Sequence, residues 1–128
     1  MTTQALRNRY VSDSVATAPP SRLLVMLYDR LVLDLMIAGQ SLEQGDRPTA
    51  SGRIQHAQEI IMELRATLDT SAWSGGPGLA ALYSFLITEL VQANVTGDRG
   101  KVESVQSFAE QLRDAWREAA AQVIGAGP

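Results

Sequence analysis

The chain has 128 residues, a length typical of one domain. Hydrophobic residues make up 45% and charged residues 20%, as in ordinary globular proteins, and the net charge of −3 argues against nucleic acid as a partner. The absence of cysteine excludes disulfides and thiolate metal sites. Because neither a signal peptide nor a membrane-spanning apolar segment is evident, we expect a cytoplasmic protein without membrane insertion.

The first 20 residues differ in character from the rest of the chain. They are polar and end in Pro19-Pro20, which disfavours helix immediately upstream. This pattern predicts an N-terminal arm or short helix over residues 1–20, followed by one domain over residues 21–128.

Four helix-length apolar blocks follow, covering approximately residues 21–44, 48–70, 77–96 and 98–124. Glycine- and proline-rich turn signals separate them. Within the blocks the apolar residues recur at alternating steps of four and three, the spacing of a bundle seam. The predicted seam residues are Leu24, Tyr28, Leu31, Leu35, Ala38 and Leu42 in the first helix, Ile54, Ala57, Ile61, Leu64 and Leu68 in the second, Leu79, Leu82, Leu86, Leu90 and Ala93 in the third, and Val102, Val105, Ala109, Leu112, Trp116, Ala119 and Val123 in the fourth. The fold class predicted is all-α, an antiparallel up-down four-helix bundle.

The first helix is more apolar than one core face requires. A second row passes through Leu23, Met26, Leu33 and Ile37, on the order of 140° around the helix from the first row. In one interpretation the arm covers this row, and in the other the row lines a groove for an apolar segment of another protein. Both hold if the arm covers the groove until a partner displaces it.

A search for catalytic residues finds no convincing site. His56 is the only histidine, so metal-binding histidine pairs are excluded, and its place on the polar side of the second helix predicts a solvated surface residue. The glycine-rich segment 74–78 lacks the lysine and the preceding strand of a phosphate loop. We therefore expect no catalytic, cofactor or metal site and no enzymatic activity.

Motifs along nearly the whole chain resemble one family. They include Tyr10, the segment from Val15 to Pro20, Leu23-Leu-Val-Met-Leu-Tyr-Asp29, Leu82-Tyr83, Ala93-Asn94 and Leu112-Arg-Asp-Ala-Trp116. Their order and spacing are similar to those of the flagellin-specific export chaperones of the bacterial flagellum, the FliS family. Arg30 is a departure, since glycine is common there in the family.

The resemblance implies a chaperone that binds the disordered C-terminal region of flagellin in apolar grooves, prevents premature polymerisation and delivers flagellin to the cytoplasmic domain of the export gate. It implies no cofactor, and we expect a monomer when the protein is free. The predicted partner-binding residues are Tyr10, Val15, Leu23, Met26, Leu33, Ile37 and Asn94. The alternative is a structural or adaptor bundle that binds a folded helical partner.

Overall fold

The computed structural model describes residues 20–71 and 74–125, which form four α-helices. These are α1 (Pro20–Glu43), α2 (Arg47–Thr67), α3 (Gly76–Thr96) and α4 (Arg99–Gly125). The predicted helices are confirmed. The largest difference is at the end of α2, which stops at Thr67 because Leu68 adopts an extended backbone conformation. The predicted arm over residues 1–20 lies almost entirely outside the described residues.

The helices are arranged as a square. α1 packs against α2 and α4, and α3 packs against the same two helices, so α1 and α3 are diagonally opposite. Short connections join sequential neighbours, which makes the topology up-down-up-down. The predicted four-helix bundle is therefore confirmed.

Local signals fix the helix ends. Asp46 caps α2 by accepting a hydrogen bond from the Thr49 backbone N–H. Hydrogen bonding from the Thr49 side chain, and secondarily from its backbone, lowers the pKa of the Asp46 carboxyl. Gly97 caps the C-terminal end of α3; its φ of 69° is in the left-handed region, and its N–H donates a hydrogen bond to the Ala93 carbonyl. The positive φ favours glycine at this position, and a Cβ there would also displace the Arg47 side chain, whose Nη1 would lie 2.4 Å away.

The core consists of the predicted seams with few changes. The buried seam residues are Tyr28, Leu31, Leu35, Ala38, Ile54, Ala57, Ile61, Leu64, Leu79, Leu86, Leu90, Ala93, Val102, Val105 and Ala109. One position of the α3 seam differs from the prediction. Tyr83 is buried in the core, whereas the neighbouring Leu82, which was predicted there, is only partly buried. Val32 and Ile60 also enter the core beside the seams. Burial of these side chains is the main stabilising contribution to the bundle.

Candidate partner-binding surface

The two apolar rows of α1 have different environments. Leu31 and Leu35 of the first row are buried against the other helices. Met26 and Leu33 of the second row are 52% and 46% exposed. The first row therefore forms the core, and the second row leaves apolar side chains at the surface.

The exposed row includes one residue that the sequence pattern did not name. Met36, 43% exposed, follows Leu33 by three residues and therefore lies on the same side of the helix. Ile37 is half-buried, and Leu23 is almost fully buried at 9% exposure, so these two contribute less surface. We call Met26, Leu33 and Met36 the α1 row.

Of the three remaining predicted binding residues, the structure describes only Asn94, which does not lie on the α1 row. Tyr10 and Val15 lie outside the described residues. Asn94 is half-buried near the end of α3, the helix diagonally opposite α1. Its backbone carbonyl accepts a 3.1 Å hydrogen bond from Nη2 of Arg47, which links α3 to the start of α2.

A buried carboxylate links α1 to α2. Asp34 is fully buried, its Oδ1 accepts a 3.1 Å hydrogen bond from Nη1 of Arg53, and its Oδ2 contacts Nδ1 of His56. Arg53 and His56 lie three residues apart on one face of α2, so a single carboxylate reaches both. The expectation that His56 is a solvated surface residue is only partly correct, because its ring is 38% exposed but its Nδ1 contacts the buried Asp34.

A groove runs along the outer surface between α1 and α2. It consists of two adjoining clefts with volumes of about 270 and 290 Å³, which share Arg30 and His56. The first cleft is also lined by Pro48, Thr49, Gly52 and Arg53, and the second by Leu27, Ile60 and Glu63. We call the two clefts together the α1–α2 groove. Its second cleft is partly apolar, and its first is lined by basic side chains.

A smaller cavity of about 160 Å³ lies at the end of the bundle where α1 begins. Its lining includes Leu24, Leu64, Leu68, Leu79, Tyr83 and Trp116. Next to it, the hydroxyl groups of Tyr28 and Tyr83 form a hydrogen bond. Burial raises the pKa of both tyrosines above the ordinary value, so both hydroxyls stay protonated at neutral pH.

Apolar side chains are also exposed on the other three helices, at Met62, Phe85, Val91, Val95 and Phe108.

By length and composition alone α3 would be able to cross a membrane, yet Leu79, Leu86 and Leu90 bury its inner face in the bundle. In the described part of the chain, three or more histidine, aspartate or glutamate side chains nowhere come together as a metal site would require.

The sequence is similar to proteins of one family. The family described as flagellar protein FliS matches residues 2–123. The flagellar secretion chaperone FliS of Bacillus subtilis is 33% identical over 118 residues, covering 90% of this chain and 88% of the relative. The proteins of the same name from Escherichia coli and Salmonella typhimurium are 30% and 33% identical. Those matches cover 91% and 84% of this chain and 87% and 82% of the relatives.

The family match extends over almost the entire chain, including all four helices and the exposed row of α1. The relatives are matched over more than four-fifths of their own length, so the similarity involves the whole bundle and not a shared fragment. The chain belongs to the family of the flagellar protein FliS.

Proposed function

We propose that this protein is a flagellar export chaperone that binds the C-terminal region of flagellin in the cytoplasm. The role in export follows from its family, whose members here are named flagellar secretion chaperones. We choose the α1 row as the binding surface because of the exposure of its side chains. Three large apolar side chains stay exposed although the core is already complete.

The dimensions of the α1 row favour an extended or helical segment as the ligand. Met26 and Met36 are ten residues apart, which corresponds to about 15 Å along the helix axis. Apolar side chains spaced over this length offer successive contacts to a segment that lies along α1. Methionine adapts its shape to different partners, which suits a surface that orders a flexible chain.

The mechanism proposed is occupation of a segment that flagellin needs for filament assembly. A disordered segment that folds on binding buries a large apolar surface, and part of the free energy is spent on ordering the chain. The complex is therefore specific and still releasable at the export gate, whose cytoplasmic domain is the second partner we propose. We expect the free chaperone to be monomeric. In this state the N-terminal arm is expected to cover the α1 row.

A polymerisation assay tests this proposal. Seeded flagellin should polymerise more slowly with an equimolar amount of the wild-type chaperone. The Met26→Gln/Leu33→Gln variant should lose most of this inhibition while remaining folded. Met62→Gln is the matched control, because Met62 is a comparably exposed methionine on α2, outside the α1 row. Equal inhibition by the double variant and the control would contradict the proposed surface.

The alternative is an adaptor bundle that binds a folded helical protein. Such a partner would bind without a change in its own helix content. Circular dichroism of the isolated flagellin C-terminal segment distinguishes the two functions, since our proposal expects helix content to rise when the chaperone is added. No increase at saturating chaperone would favour the adaptor.

A further inference from the structure

The first cleft of the α1–α2 groove is basic although the chain as a whole is acidic. Arg30 on α1 and Arg53 and His56 on α2 line it, whereas the net charge of the protein is −3. The cleft also lies beside the first turns of α2, and the N-terminal end of a helix favours negative charge. An anionic group is therefore the ligand that this cleft favours.

Asp34 on α1 and Asp46 before α2 are engaged elsewhere and do not pair with Arg30. Asp34 is occupied by Arg53 and His56, and Asp46 accepts the hydrogen bond that caps α2. Among the described residues, no carboxylate lies within ion-pairing distance of Arg30. Arg30 is exposed at the junction of the two clefts, and its guanidinium makes no hydrogen bond or ion pair with another described residue, so its donors face a ligand from outside.

The shape of the groove separates an anionic position from an apolar one. Leu27 and Ile60 line the second cleft, and the acidic Glu63 lies at that end too, so an anion is favoured only at the Pro48 end. At that end Gly52 lines the first cleft, and the space beside it is empty, because a Cβ added to Gly52 would have no atom within 4 Å. A peptide with an acidic side chain next to an apolar one therefore complements the groove.

We propose that the α1–α2 groove binds an aspartate or glutamate side chain of the flagellin C-terminal segment, with Arg30 as its ion-pair partner and Leu27 and Ile60 contacting a neighbouring apolar side chain. This inference rests on the proposed function and adds to it a residue that determines specificity. Asp34 holds both Arg53 and His56, so Arg30 makes the direct contact.

Charge removal gives the first test, with flagellin from the same genome as the probe. Arg30→Ala should weaken binding to flagellin about tenfold at low salt, the size expected for loss of a partly desolvated ion pair. The difference from wild type should shrink at about 0.5 M NaCl, where screening is strong. Arg65→Ala is the matched control, since it removes the same charge from an exposed arginine that bonds Ser84.

Steric filling gives a second test that leaves all charges in place. Gly52→Leu should fill the open wall of the cleft and weaken binding, while the helix itself gains from the loss of a glycine. Gly78→Leu is the control, because Gly78 is an exposed helical glycine with equally open surroundings on α3. Equal affinities of the two leucine variants would contradict occupation of the cleft.

A double-mutant cycle identifies the ligand group. Each acidic residue of the flagellin C-terminal segment is replaced by alanine and measured with wild-type chaperone and with Arg30→Ala. One acidic residue should show an effect that disappears in the Arg30→Ala background. Additive effects at every acidic position would overturn the proposal. It would also be overturned if Arg30→Ala changed the self-association of the chaperone and left its affinity for flagellin unchanged. Failure of wild type to bind flagellin would instead contradict the proposed function.

Discussion

The hydroxyl groups of Tyr28 and Tyr83 form a 2.6 Å hydrogen bond through the interior of the bundle, joining the diagonally opposite helices α1 and α3. Both side chains are buried, at 0% and 2% exposure. The bond therefore fixes the register of two helices that do not pack side by side. Each hydroxyl satisfies the other in a place that water does not reach.

Replacing both tyrosines by phenylalanine should lower the unfolding free energy by less than the two single replacements added together. Tyr28→Phe leaves the Tyr83 hydroxyl buried without this partner, and we expect a loss of about 1–3 kcal/mol in unfolding free energy. The double variant Tyr28→Phe/Tyr83→Phe should lose less than the sum of the single variants, since no hydroxyl remains unsatisfied. Urea denaturation measures all three, and strictly additive losses would contradict the interpretation.

The same tyrosines predict a dependence of stability on pH. Burial raises the pKa of both above the unfolded value of about 10, so the folded state retains protons that the unfolded state loses. Their contribution to the free energy of unfolding is complete below pH 10 and declines as the pH rises above 10. Denaturation at pH 9 to 11 should show this decline in wild type and a smaller one in the double phenylalanine variant. An identical decline in both proteins would exclude the tyrosines as its source.

The two rows of α1 should respond oppositely to substitution. Leu31→Ala empties a fully buried position and should lower the unfolding free energy by about 2–5 kcal/mol. Met26→Gln changes an exposed side chain and should alter stability by less than about 0.5 kcal/mol, yet weaken flagellin binding strongly. Thermal melts and titrations on both variants provide the comparison. Unfolding of Met26→Gln with a silent Leu31→Ala would reverse the assignment of the rows.

The buried Asp34 should matter more than its exposed neighbour Asp29. Asp34→Asn weakens charge-assisted contacts to Arg53 and His56 and should lower the unfolding free energy by about 1–3 kcal/mol. Asp29→Asn removes an exposed pair with Arg117 on α4 and should lower it by less than about 1 kcal/mol. Chemical denaturation of both variants measures the difference. Similar losses would mean that the buried carboxylate is no more important than a surface acid.

The turn between α3 and α4 offers a test with an internal control. Gly97 and Gly45 both have positive φ, but only at Gly97 would a Cβ meet another residue, Arg47. Gly45→Ala should cost about 1 kcal/mol for the backbone conformation alone. Gly97→Ala should cost more, because Arg47 must move and its hydrogen bond to the Asn94 carbonyl is disturbed. In an Arg47→Ala background the two costs should become equal, and a persistent difference would contradict this account.

Periodicity within each helix was sufficient to predict the bundle and most of its core. It identified Leu31 and Leu35 as core residues and placed Met26 and Leu33 on a separate row, because burial along a packed helix follows its own repeat. The exposure of that second row depends on neighbouring helices, so the sequence left its role open. Met36 was not named, although its spacing of three from Leu33 was the available signal.

The features that were missed depend on contacts between helices. Asp34 has the sequence signature of a surface residue, and its burial is explained only by Arg53 and His56 on α2. Tyr83 and Leu82 are adjacent apolar residues, and the choice between them is decided by Tyr28 on the opposite helix. Such pairings are long-range in sequence, and a pattern within one helix cannot contain them.

Calorimetric titration of the full-length chaperone with flagellin tests the central claim most directly. We expect a one-to-one complex with a negative heat-capacity change, as apolar surface of the α1 row and of flagellin becomes buried. Flagellin that lacks its C-terminal segment should show no measurable binding under the same conditions. If the truncated flagellin binds with the same affinity as the full-length protein, the chaperone does not recognise the C-terminal segment and the proposed function is wrong.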